Sequence, residues 1–200
     1  MLAPMAICGI DEAGRGPLAG PVVAAAVILP RKGRPKGLDD SKQLTAEARE
    51  QLALKIRAIG IIGVGVASVE EIDTLNILRA SHLAMRRAFD ELVKLQMPVA
   101  AIVDGNMSPD LPCPVECVVD GDVIVPIVSA ASIIAKVERD RMMTELCAQF
   151  PGYAFSKHKG YSTPEHQEAL ARLGPCAIHR RSFKPVQDAL QTQLQLRAAS

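Results

Sequence analysis

Ile7-Cys-Gly-Ile-Asp-Glu-Ala-Gly-Arg-Gly-Pro-Leu-Ala-Gly-Pro-Val-Val-Ala-Ala-Ala-Val27 carries two strands and the turn between them. Ala6–Ile10 is an apolar run of strand length that meets Asp11 and Glu12. After a glycine-rich turn, Pro21 opens a second run, Val22–Leu29, rich in β-branched residues. With little chain between them, these strands and a third at Ile61–Ala67 predict an antiparallel meander. The glycines do not make a nucleotide-binding loop. Gly14-x-Gly16-x3-Gly20 has the wrong final spacing, a strand rather than a helix follows it, and Gly-Lys-Ser/Thr is missing. A Gly-Arg-Gly turn beside paired acids does let a backbone approach a substrate closely, with Arg15 supplying a phosphate contact; as a turn alone it is unremarkable.

Working outward, two more apolar runs of strand length stand at Val99–Val103 and Val115–Val119. Helical patterns alternate with them. Thr45 is placed to N-cap a helix whose body runs from Ala48 to Ile59. Met85, Ala88, Phe89 and Leu92 recur at helical spacing on a second, and Ala130, Ile133, Ile134 and Val137 on a third. Beyond residue 150 the sequence predicts loop, a short helix near Pro164–Leu173 and a last helix near Lys184–Leu196, with no further strand. These elements describe one α/β domain over residues 1–200, a mixed five-stranded sheet flanked by helices. Residues 150–200 form its helical, basic C-terminal extension.

Composition narrows the class of function. A chain of 200 residues that is 48% hydrophobic and 22% charged buries a full core without metal or disulfide staples. A net charge of +1 excludes a protein that coats nucleic acid by bulk charge. Two Tyr, four Phe and no Trp disfavour a platform on which single-stranded bases stack. The start of the chain lacks the pattern of a signal peptide, and Val22–Leu29 is too short to span a bilayer, so a cytoplasmic location is expected. The five cysteines are scattered. Cys113-x3-Cys117 lacks a second pair at zinc spacing, and the four histidines make no zinc pattern either. Reduced thiols and core, capping or phosphate-contact histidines are the expectation.

Acids are concentrated where apolar runs end: Ile10-Asp11-Glu12, Val103-Asp104-Gly105 and Val119-Asp120-Gly121-Asp122. One such acid is turn chemistry. Three converging strand ends would crowd carboxylates that repel one another unless cations sit among them, and hard divalent ions prefer such oxygen donors. A pair of ions there would clamp an in-line phosphoryl displacement. Spacing alone leaves turn chemistry and a metal pocket both open, and it does not choose between Asp120 and Asp122, which strand alternation would place on one face. Charge is also segregated along the chain. Residues 101–122 hold five acids and no Lys or Arg, whereas residues 151–200 hold seven Lys and Arg against three acids. Lys157-His158-Lys159 and His179-Arg180-Arg181 concentrate the positive charge, either as a flank for a nucleic-acid backbone or as a solvated surface. The basic loop Arg31–Lys36 has the same two readings.

The opening stretch closely resembles that of the bacterial ribonucleases HII, the type 2 ribonucleases H. The resemblance continues through Leu38-Asp-Asp-Ser-Lys-Gln-Leu, Ile102-Val-Asp-Gly-Asn, Gly121-Asp122 and Ser129-Ala-Ala-Ser-Ile-Ile-Ala-Lys-Val-Glu-Arg-Asp-Arg. It resumes at His158-Lys-Gly-Tyr-Ser-Thr and Ile178-His-Arg-Arg-Ser-Phe, in family order over nearly the whole chain. It implies a ribonuclease H-like fold and an endonuclease that hydrolyses the phosphodiester 5′ to a ribonucleotide. The implied substrates are RNA/DNA hybrids and duplex DNA with embedded ribonucleotides, and the products carry 3′-hydroxyl and 5′-phosphate ends. Ribonucleotide repair and removal of RNA primers both fit that chemistry. Carried over residue by residue, the catalytic and metal-binding acids are Asp11, Glu12, Asp104 and Asp122, holding Mg²⁺ or Mn²⁺, two ions when substrate is bound. The resemblance selects Asp122 over Asp120. It assigns the sensing of the 2′-hydroxyl to the Gly14-Arg15-Gly16 backbone with Tyr161, which packs on the sugar of the next, deoxy, nucleotide. Ser41 and Lys42 resemble phosphate contacts, as do Lys157 and Lys159.

Departures from the family pattern are small: Asp39 stands where Asn is common, and Ser162 where Gly or Pro is. Gly-Arg-Gly, where ribonucleases HIII carry Gly-Thr-Gly, sets the chain apart from that family, and no extra N-terminal domain of their kind is expected. The C-terminal Gln191-Thr-Gln-Leu-Gln-Leu-Arg has no aromatic pair, so no sliding-clamp peptide is expected, and a monomer is. The alternatives are a non-catalytic binder of hybrid or junction duplexes, which the four intact acids disfavour, and a nuclease of the same superfamily acting on DNA alone.

Overall fold

The structure, a computed structural model, describes residues 6–38 and 44–198, with side chains to residue 195. Ser41 and Lys42, and the Asp39 departure, lie outside the described residues. The chain divides into two compact units. The first comprises the segment ending at Ala13 with Val23–Val66 and Ser81–Glu138; the second comprises Gly14–Val22, Ala67–Ala80 and the chain from Arg139 onward.

The first unit is built on a five-stranded sheet in the order β3-β2-β1-β4-β5. Its strands are β1 (Ile7–Ala13), β2 (Val22–Ile28), β3 (Ile61–Ala67), β4 (Ala100–Asp104) and β5 (Val115–Val118). β1 pairs antiparallel with β2, from Gly9 opposite Val27 to Ala13 opposite Val23. On its other side β1 pairs parallel with β4, from Ile7 opposite Ala100 to Ile10 opposite Val103, and β4 pairs parallel with β5. The parallel pairing of β1 with β4 requires a crossover, which α1 (Ala46–Ile59), α2 (Val69–Leu75) and α3 (Ile77–Val93) help to supply. All seven residues of β2 are buried, as a strand covered on both faces requires. Its Ala25 and Val27 pack with Leu52, Ala53 and Ile56 of α1 and with the first turns of α5 (Pro126–Gln149). Gly9 lets β1 approach the same helix closely: a Cβ there would lie 2.3 Å from the Ile127 carbonyl oxygen.

Several strand boundaries shift by a residue or more from the sequence expectation, and two of the shifts decide how the acids are set. β1 does not end at Ile10. Its ladder with β2 continues through Asp11 opposite Ala25 and Glu12 opposite Ala24, so both acids lie within the strand. Apolarity stops at Ile10, but the backbone pairing that defines a strand does not. β5 ends at Val118 rather than Val119, and Asp120 takes a left-handed conformation (φ 56°) that turns the chain into the single-turn helix α4 (Gly121–Ile124). Asp122 is therefore a helical residue, and strand alternation does not relate it to Asp120.

The helices follow their local signals. Thr45 caps α1 by accepting the Ala48 N–H at 3.2 Å. The expected face of α3 is buried at Met85, Ala88, Phe89 and Leu92. The sequence reading missed α2, although Ser68 and Glu71 form a reciprocal capping box, a signal visible in Ser-x-x-Glu. In the second unit, α6 (Phe155–His158), α7 (Pro164–Leu173) and α8 (Lys184–Ala198) follow the end of α5. An isolated antiparallel bridge joins Ala19 to His179. Ala19, Met143, Tyr153, Phe155 and Ala169 form one core there, and Leu18, Leu170 and Val186 another. Among the described residues no helix is long and apolar enough to cross a membrane.

Candidate active site

In the first unit four acids come together from three elements. Asp11 and Glu12 are consecutive on β1, Asp104 ends β4, and Asp122 sits in the first turn of α4. Because Ile10 is opposite Val103, Asp11 and Asp104 occupy the next position on adjacent parallel strands. An Asp104 Oδ1 atom accepts the Asp122 N–H at 3.3 Å. Asp11 and Asp122 are buried, at 5% and 2% exposure. Burial, then the charges of Glu12 and Asp104, push the Asp11 carboxyl well above the usual carboxylate range, against hydrogen bonds from Ser132 and from the Glu12 N–H at 2.7 Å. Ser132, on α5, is a contact the sequence reading did not single out. Asp120, by contrast, is exposed.

The acids make an open donor set. Among the described residues, no three His, Cys, Asp or Glu side chains form a ready-made cation site. A site for Mg²⁺ does not require such a complete set, since Mg²⁺ is usually held by one or two carboxylates with waters and substrate phosphates. Mutual repulsion over buried oxygen donors is also what a hard divalent cation relieves. The residues present therefore fit the group. The five thiols, Cys113 and Cys117 included, are all free.

In the second unit the Gly14–Pro21 loop is held from inside by two arginines with no exposed surface. Arg180 gives all five of its N–H bonds to backbone carbonyls, those of Gly14, Arg15, Pro17, Gly20 and Pro21, at 2.6–3.3 Å. Arg139 donates to the carbonyls of Pro21, Lys159 and Ala19 at 2.9–3.1 Å. Burial lowers both guanidiniums, Arg180 to about 9 and Arg139 to about 10, and both stay cationic at neutral pH. Gly14 has φ +102°, and a Cβ on it would lie 2.0 Å from Arg139 Nε, so glycine alone fits. A Cβ on Gly16 would lie 3.7 Å from the ring of Tyr161, which is 43% exposed. Gly14, Arg15, Gly16 and Tyr161 are thus neighbours, and Arg15 faces solvent.

The basic flank is smaller than the sequence suggested. Arg180 and His179 are buried, and Lys184 pairs with Asp188. Lys157 binds Glu165 at 2.9 Å, and Lys159 donates to Thr144 Oγ1 and the Ser156 carbonyl. A run of basic letters does not reveal which of them must neutralise buried carbonyls. Of the roles expected for the histidines, three take the core one: His158, His166 and His179 are buried and pack with Tyr153 and Phe155, a mutual clustering the sequence did not show.

Solved structures that superpose on this chain include ribonucleases H. A crystal structure of ribonuclease H2 from Pyrococcus horikoshii OT3 superposes with a TM-score of 0.76 at 29% identity, covering 94% of this chain and 98% of that one. Bst-RNase HIII in complex with Mn²⁺ shares the fold with a TM-score of 0.77 at 23% identity, over 98% of this chain and 72% of that one. At the level of sequence, a family model described as ribonuclease HII matches residues 8–186. Ribonuclease HII of Parvibaculum lavamentivorans is 56% identical over 190 residues, 94% of this chain and 70% of that protein. The chain belongs to the ribonuclease HII family, and its activity is that of a ribonuclease H, an endonuclease.

Proposed function

We propose that the chain hydrolyses the phosphodiester on the 5′ side of a ribonucleotide, in RNA/DNA hybrids and in duplex DNA with embedded ribonucleotides, and leaves 3′-hydroxyl and 5′-phosphate ends. Asp11, Glu12, Asp104 and Asp122 hold the divalent cations. The observation that carries this reading is the crowding of acids on adjacent strand positions, with Asp11 buried between Glu12 and Asp104 and Asp104 bonded to the Asp122 N–H, a repulsion that a bound cation offsets. Mg²⁺ or Mn²⁺, when bound, supplies Lewis-acid stabilisation of the leaving oxygen and a more acidic attacking water.

The chain's own residues do the rest. Asp11 and Glu12, fixed by strand pairing, and Asp104, tied to the Asp122 N–H, set where positive charge is held. Arg180 grips the carbonyls of Gly14 and Arg15, fixing the peptide planes that meet the 2′-hydroxyl. Gly16, without a side chain, leaves the Tyr161 ring open on that side. Tyr161 packs on the sugar of the following nucleotide, where a 2′-hydroxyl would collide with the ring. Contacts by Ser41 and Lys42 to the phosphates belong to the same reading.

The test is a labelled DNA duplex with one ribonucleotide, incubated with Mg²⁺, Mn²⁺ or EDTA, using wild type and Asp104→Asn. Metal-dependent cutting 5′ to the ribonucleotide, lost in the variant, is expected. Tight binding without cutting would mean a junction binder, and cutting of an all-DNA control would overturn the roles of Tyr161 and Gly14-Arg15-Gly16.

A further inference from the structure

Three histidines brace the backbone that carries Tyr161, and the partners of each ring assign its tautomer. His179 Nδ1 faces the Cys176 N–H at 3.0 Å and the Cys176 Sγ at 3.1 Å, so it accepts, and the proton of the neutral ring sits on Nε2. His179 Nε2 lies 3.1 Å from His166 Nε2. Two imidazole nitrogens at that distance need one donor and one acceptor, which makes His166 Nε2 the acceptor. The proton of His166 is then on Nδ1, and it donates to the Tyr161 carbonyl oxygen at 2.8 Å. That oxygen also accepts the Thr163 N–H at 2.8 Å, and the Tyr161 N–H donates to the His158 carbonyl at 2.9 Å. His158 stacks on His166 with ring centroids 4.5 Å apart. Its Nδ1 accepts the Gly160 N–H at 3.2 Å, so its Nε2 donates to the Tyr153 carbonyl at 2.8 Å.

The chain of donors, from the Cys176 N–H through His179 and His166 to Tyr161, has one direction, and it works only with both rings neutral. Burial enforces neutrality, lowering His166 and bringing His179 down to about 4. Among the described residues these rings do not form a grouping of three ligands that could hold a metal. The cluster ends on the main chain of a residue whose own ring is 43% exposed.

We propose that His166, oriented by His179, is a positioning residue that sets the pose of Tyr161 against the substrate sugar, and so sets the preference for an RNA–DNA junction. The inference rests on the reading of Tyr161 given above. The test compares two substrates, duplex DNA with one ribonucleotide and a continuous RNA/DNA hybrid, in wild type, His166→Asn, His166→Gln and Tyr161→Ala. Asn places an N–H where Nδ1 stood and keeps the bond to the Tyr161 carbonyl. Gln reaches His179 and gives that bond up. His166→Asn is expected to keep the wild-type ratio of kcat/KM between the substrates. His166→Gln is expected to lower the ratio about tenfold, mainly through KM on the junction substrate, with an unfolding midpoint like that of His166→Asn. If the two variants behave alike while Tyr161→Ala loses selectivity, the relay is wrong and the Tyr161 reading stands. If Tyr161→Ala keeps its selectivity, that reading fails and the relay with it. Imidazole ¹⁵N spectra of the unaltered protein give a separate check: neutral Nδ1–H on His166 and neutral Nε2–H on His179 are expected, and reversed tautomers or a cationic ring would overturn the proposal.

Discussion

The two units bury charge in opposite ways. In the first, carboxylates are gathered on neighbouring strand positions, and Asp11 is pushed toward its neutral form by burial and by the charges of Glu12 and Asp104. In the second, Arg180 and Arg139 are buried at least as deeply, yet eight N–H bonds to carbonyls disperse their charge along the main chain. Buried charge satisfied by the backbone is a structural strut. Buried charge that works against its own kind is what the proposed cations would relieve.

The contrast can be broken at its extremes. Asp104→Asn should cut the rate of cleavage about 10³-fold or more, while raising the thermal midpoint in EDTA because one source of repulsion on Asp11 is gone. Added Mg²⁺ should raise the midpoint of wild type and not of the variant; a drop in the EDTA midpoint would contradict the repulsion. Arg180→Ala should do the reverse in kind, leaving five carbonyls without their donor and costing about 4 kcal/mol of stability in a urea titration. Arg180→Lys should recover only part of that loss, because an ammonium cannot fork across the same carbonyls.

Acid should then separate the two regions by sign. His179 has its folded value lowered from 6.5 to about 4, so the unfolded chain binds the extra proton. Stability should therefore fall by roughly 3 kcal/mol as pH drops from about 6.5 to 4, and His179→Asn should flatten that part of the profile. Asp11, with its folded value raised, takes up its proton more readily when folded, so its contribution is greatest in acid and is lost as pH rises through the folded value. Urea midpoints at a series of pH values would reveal both slopes. The smallest effect belongs to Asp120→Asn, which should change cleavage less than about twofold because the side chain is exposed and caps nothing.

Much of this was legible in the letters. The five strands, the Thr45 cap, the helix at Pro164–Leu173 and the buried face of α3 follow from period and punctuation. The acids could be seen as a group, but their exact setting could not. The strand ladder runs past Ile10 because β2 offers partners, and Asp122 separates from Asp120 because a left-handed residue intervenes. Arg180 was misread for a related reason. Whether an arginine faces phosphate or carbonyl is decided by contacts more than 150 residues away in the chain. The histidine cluster was hidden in the same way, since spacing shows a metal pattern or none and says nothing of rings that bond to each other.

β1 is the middle strand of five, hydrogen-bonded to β2 on one side and β4 on the other, whereas Asp122 rides on a single helical turn. The ladder with β4 stops at Ile10, but Asp11 and Glu12 continue the ladder with β2, so their spacing is set by strand geometry for as long as that pairing holds. A lone turn can shift by small changes in a few torsions. On the proposed metal-binding reading, the carboxylate set has one jaw built on a strand ladder and the other on a single helical turn.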